Sequence, residues 1–140
     1  MRDKGFTLTE VLIVIVILGV VTGVAIPSYM NQMEQSRANE AKIDLNTIYM
    51  AEKVFMLKNG VYWPPSGTNS NISQINQALG IELETQPQRR FYTISVSRLA
   101  GSAAFRARAT RKAISVYTSG GQFAQIDQTG VLDLSKMVNQ

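Results

Sequence analysis

The chain has 140 residues and a formal net charge of +4, enough for one domain or for one small domain plus a separate segment. It contains no cysteine and no histidine, which excludes a disulfide framework, thiolate or imidazole metal sites, a cysteine nucleophile and any Ser-His-Asp arrangement. With neither a Gly-rich phosphate loop nor a paired-acid pocket in view, the sequence reads as a non-enzyme, with no catalytic residue, no cofactor and no assigned metal site.

The first element is apolar. From Phe6 to Ile26 the only ionisable side chain is Glu10. As a helix this run is roughly 30 Å long, enough to cross the hydrocarbon of a bilayer. Arg2 and Lys4, partly offset by Asp3, precede it, so the positive-inside rule puts the N-terminus in the cytoplasm and everything after Pro27 on the far side. Three readings fit such a run: a secretory signal peptide cut near the small residues Gly23 and Ala25, a plain single-pass anchor, or a segment kept in the mature chain after a cut between Gly5 and Phe6.

Glu10 favours the third reading. A carboxylate at mid-bilayer costs about 2.5–3.5 kcal/mol on insertion scales and is tolerated best when a cation meets it. A cut after Gly5 creates that cation, because the new α-amino group of Phe6 lies about one helical turn from Glu10 and is mostly protonated at neutral pH. The pair can form within one chain or between helices packed side by side, and in the second case it also fixes their axial register. Gly19 and Gly23 form a small-xxx-small pair, read either as a close helix–helix contact or as ordinary glycine tolerance in a membrane helix. Pro27 removes a helical donor and, with the two glycines, makes the 19–27 stretch a soft spot.

Taken together, Lys4-Gly5-Phe6-Thr7-Leu8-Thr9-Glu10, the apolar run and Pro27 resemble the N-terminal signature of type IV pilins and type II secretion pseudopilins. The resemblance implies a prepilin peptidase that cuts after Gly5 and N-methylates Phe6. It also implies an assembly role for Glu10, and loss of helical hydrogen bonds between Gly19 and Pro27 when a filament forms. Thr9 departs mildly, since an apolar residue is commoner there.

From Ser28 to about Lys58 the pattern becomes that of an amphipathic helix, with a single apolar stripe at Met30, Met33, Ala38, Ala41, Leu45, Ile48, Ala51 and Phe55. It continues the membrane run, and Asn59-Gly60 stops it. Residues 59–71 read as a loop in which Tyr62, Trp63, Pro64 and Pro65 pin the chain to the helix or form an aromatic-proline patch. Asn71-Ile72-Ser73 matches a glycosylation sequon, and Ile72, Ile75 and Leu79 predict a short helix ending at Gly80.

Three strands are predicted downstream. Arg90 to Ser97 turns Tyr92, Ile94 and Val96 to one face; Ala104 to Thr110 turns Phe105, Ala107 and Ala109 one way and Arg106, Arg108 and Thr110 the other. Gly121 to Gln128 is the third, followed by a turn at Thr129-Gly130 before Val131 and Leu132. The expected fold is α+β: one long N-terminal helix whose C-terminal half packs on a small antiparallel sheet. This is the type IV pilin-like architecture that the resemblance implies. The expected divisions are a leader (1–5), a hydrophobic transmembrane and assembly half-helix (6–28) and a head (29–140) made of the amphipathic half-helix to about 58, a loop (59–89) and a sheet (90–134).

Many type IV pilins close a C-terminal loop with a disulfide, which this chain cannot form. Major pseudopilins bind calcium there through clustered acids; the candidates here are Asp127 and Asp133, with Glu82 and Glu84 farther off, too few for a cation that takes six to eight oxygens. Between Glu84 and Asp127 no acid occurs, and seven of the fourteen Lys and Arg residues fall there. Arg106, Arg108, Arg111 and Lys112 are the candidates for contact with an anionic partner: DNA, an acidic surface or a neighbouring subunit. The competing reading is a solvated sheet face guarded by charge against edge-to-edge association, and aromatic interleaving for DNA is poor.

The resemblance thus implies a structural subunit held in the bacterial inner membrane and polymerised into a helical filament outside the cytoplasm. Its partners are further copies, other pilins, prepilin peptidase, an inner-membrane assembly platform and, before assembly, lipid. A type II secretion pseudopilin and a secreted or membrane-anchored binding module are the alternatives.

Overall fold

The computed structural model describes residues 6–99, 104–112 and 122–136. The chain divides into two compact units, Met1–Ser36 and Arg37–Gln140. A single helix, α1 (Leu8–Asn59), contributes to both.

In the first unit α1 carries the apolar run. Thr7 caps its start, and Val11 N–H donates to the Thr7 carbonyl at 3.3 Å. Every side chain from Phe6 to Ile26 is exposed. The helix continues through Pro27, whose missing N–H leaves the carbonyl four residues back, that of Gly23, without its helical donor.

The second unit is built on the rest of α1. A two-residue strand β1 (Thr68–Asn69) follows, then helix α2 (Ile72–Leu79) and strands β2 (Tyr92–Arg98), β3 (Phe105–Arg111), β4 (Phe123–Asp127) and β5 (Leu132–Lys136). The strands form one antiparallel sheet in the order β1-β2-β3-β4-β5. Register aligns Ile94 with Ala109 and Ala124 across three strands, and Val96 with Ala107 and Ile126. These residues and Phe105 are buried and make one core with Ala41, Leu45 and Ile48 of α1. Alanines at the centre of the sheet remove bulk where the helix must lie close.

The α+β architecture is as the alternation and the helical spacing require. Asn71 caps α2 by accepting from Gln74 N–H, and Gly80 closes it in the left-handed conformation at φ 65°. Tyr62 and Pro64 are buried, so this loop is held onto the helix, and no free aromatic-proline patch is formed. Three features differ from expectation. The 59–89 connection contributes edge strand β1; β5 is a full strand paired with β4; and α1 carries a second apolar stripe in this unit, exposed where the first is buried.

Candidate functional site

The chemistry of the first unit is concentrated at the start of α1. Glu10 Oε2 accepts from the Thr7 backbone N–H at 2.9 Å and from the Thr7 hydroxyl at 2.8 Å. In return Glu10 N–H donates to Thr7 Oγ1 at 3.3 Å. This is a reciprocal capping box, the T-x-x-E pattern in which the first and fourth residues satisfy each other's orphan donors. Thr9 adds a hydroxyl bond to Thr7 Oγ1 at 3.2 Å. The carboxylate therefore has a structural task in a single chain, besides any pairing with a second one. The signal for it was legible, since Thr7 and Glu10 stand three apart immediately before an apolar run.

Beyond Glu10 the run presents hydrocarbon only. Thr22 turns its hydroxyl back onto the Leu18 carbonyl at 2.6 Å, so it offers no unsatisfied polar group to lipid. A Cβ placed on Gly19 or Gly23 meets nothing within 4 Å, so packing inside the chain demands neither glycine. Among the described residues, α1 is the one helix long and apolar enough to cross a membrane. Phe6 is exposed beside the cap, and Gly5, the other side of the expected cut, lies outside the described residues.

The basic sector is not gathered into one site. Arg106 and Arg108 share the outer face of β3, as alternation predicts, with Arg106 opposite Asp127 in register. The Arg108 guanidinium lies 4.3 Å over the Phe123 ring and donates to Gln125 Oε1 at 3.4 Å. Arg111 donates to Gln122 Oε1 and Lys112 to the Pro87 carbonyl. Farther back, Arg98 donates to the Pro65 carbonyl at 2.8 Å, and the buried Arg90 meets Asp44 at 3.4 Å. Burial pushes the Asp44 carboxyl up and the Arg90 guanidinium down, and their mutual attraction opposes both shifts. Desolvation outweighs attraction in that pair, which locates the loop more than it stabilises the unit.

Asp127 spends its carboxylate on its own turn, accepting from Thr129 N–H at 2.8 Å, and Asp133 accepts from Gln125 at 3.4 Å. Glu84 accepts from Gln86 N–H and lies 3.8 Å from Arg89. Among the described residues no three acids come together as a metal site would need. The β4–β5 turn is instead held by cationic and steric means. Lys53 Nζ donates to the Gln128 carbonyl at 2.8 Å and to the Tyr62 hydroxyl at 3.4 Å. Gly130, at φ 81°, sits so close to Tyr49 that a Cβ there would lie 2.8 Å from the phenolic oxygen.

One functional group escaped the sequence reading. Glu52 is fully buried, with Oε2 accepting from Trp63 N–H at 2.9 Å and Oε1 unpartnered. Burial pushes its carboxyl up to about 7, against the opposing Trp63 hydrogen bond. Only its position on the buried side of α1, between Tyr49 and Phe55, hinted at this.

Residues 1–26 match the family described as the prokaryotic N-terminal methylation motif. Among curated proteins, type IV major pilin protein PilA of Myxococcus xanthus is 38% identical over 61 residues, 44% of this chain and 28% of that protein. Type II secretion system core protein G of Pectobacterium carotovorum is 34% identical over 91 residues, 65% of this chain and 54% of that protein. Type IV major pilin protein PilE of Neisseria gonorrhoeae is 31% identical over 78 residues, covering 56% and 46%. The chain thus spans well under two thirds of the length of each of these relatives. No solved structure matches it. In its capped, apolar N-terminal helix the chain is thus similar to type IV pilins and type II secretion pseudopilins.

Proposed function

We propose that the chain is a structural subunit of a type IV pilus-like filament. It is made with a leader of residues 1–5, which a prepilin peptidase removes between Gly5 and Phe6 before Phe6 is N-methylated. Residues 6–28 hold the subunit in the inner membrane with its N-terminus cytoplasmic, and the head, residues 29–140, lies on the far side. An inner-membrane platform then moves subunits from lipid into a filament of further copies and related pilins. There Glu10 faces the Phe6 amine of a neighbour, and Gly19, Gly23 and Pro27 make the helix deformable. Arg108, Arg111 and Lys112 make contacts within the head, and no DNA partner is invoked for them or for Arg106.

A single observation carries this reading: one carboxylate, already committed to capping, stands in the run from Phe6 to Ile26, whose apolar side chains are all exposed. Lipid covers such a surface before assembly and neighbouring helices cover it afterwards. Mass analysis of the mature N-terminus tests the cut, which is expected to leave methylated Phe6. A start near Ile26 overturns the proposal in favour of a secreted module. Two substitutions then separate charge from capping. Glu10→Gln keeps the capping bonds and removes the charge, while Glu10→Ala removes both. Loss of filaments from both variants, with membrane insertion intact, supports charge pairing; normal filaments from Glu10→Gln overturn it.

A second reading is favoured by the match to core protein G, whose aligned stretch of 91 residues is the longest of the three compared. Deleting the gene discriminates: loss of surface filaments supports a pilus subunit, and loss of protein secretion with filaments intact supports a pseudopilin.

A further inference from the structure

Residues 61–66 form a strap between two glycines, Gly60 at φ 73° and Gly67 at φ 70°, both left-handed and both with open space around them. Its ends are fixed. Gly60 N–H donates to the Met56 carbonyl at 2.8 Å, and the Gly67 carbonyl accepts from Arg98 N–H at 3.0 Å. Between these ends three charged side chains tether it. Lys53 Nζ donates to the Tyr62 hydroxyl at 3.4 Å, Arg98 donates to the Pro65 carbonyl at 2.8 Å, and Trp63 N–H donates to Glu52 Oε2 at 2.9 Å. The Tyr62 ring also lies 4.9 Å from that of Phe105, which makes it the firm end of the strap, while Pro65 and Ser66 are exposed.

The Glu52 tether differs in kind from the other two. Lys53 and Arg98 are half-buried cations, whereas Glu52 is fully buried and its second oxygen, Oε1, meets no donor. An ionised carboxyl accepts at about four sites, and here a single donor serves it where water does not reach. Charge in that place is poorly solvated, and the neutral acid is favoured. The titratable and charged groups on the surrounding elements are engaged elsewhere. Lys53 is on the Gln128 carbonyl and Tyr62, Arg98 is on Pro65, Asp127 is on Thr129, and the Tyr49 phenol lies against Gly130. None of them hydrogen-bonds to Oε1.

We propose that Glu52 and residues 63–66 make a proton-operated latch, closed on α1 while Glu52 is neutral and released as Glu52 ionises. The proton passes to water, and lifting Trp63 N–H off Oε2 admits the water that solvates the carboxylate. Gly67 is the hinge, because it carries no side chain to clash as the strap turns. Release uncovers Pro64, which is buried in the closed arrangement, so an aromatic-proline surface is presented as pH rises. The inference needs only the folded head and stands apart from the filament reading. Closed, the carboxyl titrates at about 7; released into water, it titrates at its ordinary 4.5. Release is therefore least favoured below about pH 4.5, grows by up to about tenfold per pH unit between those values, roughly 300-fold in all, and is constant above.

Hydrogen exchange at the Trp63 amide tests this, followed by NMR on the full chain in detergent from about pH 4 to 8 and corrected for the intrinsic rate at each pH. Trp63 protection is expected to fall by up to about 300-fold between pH 4.5 and 7 and to respond little to low guanidinium chloride. The core amides of Ala107 and Ala109 should instead follow global unfolding. Glu52→Gln keeps an acceptor for Trp63 N–H and cannot ionise, so its Trp63 protection should not vary with pH. Native protection that is independent of pH, or that matches Ala107 and Ala109 at every denaturant concentration, overturns the latch, as does pH dependence that survives Glu52→Gln. Where that variant does not fold, the Glu52 carboxyl carbon resonance of the native chain takes its place. A midpoint near 7 supports the proposal, and one near 4.5 overturns it.

Discussion

In the unit Arg37–Gln140, Leu45, Ile48, Ile94 and Val96 are sealed beneath a sheet. In the unit Met1–Ser36, side chains of the same types, from Val11 to Ile26, have no cover within the chain. Hydropathy alone does not distinguish these stretches; the presence of a partner element does. The head supplies its own, through alternating strands laid across one face of α1. The rod is uniformly apolar around its circumference, so no single sheet could bury it, and its partners must come from outside the chain.

This contrast can be broken by substitution. The largest effect is expected in the head's core: Phe105→Ala, which removes a fully buried ring 4.9 Å from Tyr62, should cost about 3–5 kcal/mol in thermal unfolding of the solubilised chain. Ile15→Ala in the rod should leave that midpoint unchanged. A matching loss there would mean the rod has support inside the chain after all.

Glu52 comes next. Its carboxyl holds a proton to about pH 7 when folded, against an ordinary 4.5, so between those values the folded state binds more protons than the unfolded. Head stability should therefore be greatest below about pH 4.5, fall by up to about 3 kcal/mol as pH rises to 7, and level off above. Glu52→Gln should remove this component of the pH slope. An unchanged slope would place the titrating group elsewhere.

Gly130→Ala is expected to cost about 2 kcal/mol, because it forces a Cβ into a left-handed backbone and against Tyr49. The smallest effect belongs to the rod. Thr7→Ala should cost about 1 kcal/mol of local helix stability, seen as faster amide exchange at the first turn with no change in the head.

Much of the fold was legible. The three-and-four spacing placed Leu45 and Ile48 inward, and strict alternation placed Phe105, Ala107 and Ala109 inward with Arg106 and Arg108 outward. The T-x-x-E start was present in the sequence, although the capping bonds between Glu10 and Thr7 were overlooked. Strand β1 escaped because two residues carry no periodicity, and their pairing with Ser97 and Val96 is a long-range event. The contacts of the basic sector were not legible, because cross-strand neighbours such as Gln125 and Phe123, which meet Arg108, cannot be read from charge counts.

What the sequence by itself determined is whatever depends on short separations: one continuous helix, its apolar first half, the T-x-x-E start, the turn glycines and the strand alternation. Each follows from steric and hydrogen-bonding rules acting over a few residues. The tertiary structure alone decided which of two apolar stripes on the same helix would be covered, that Glu52 would lie buried beneath the Trp63 loop, and that Lys53 and Tyr49 would hold the last turn. Those outcomes depend on which distant segment arrives at a given helix face, and local pattern does not encode that choice.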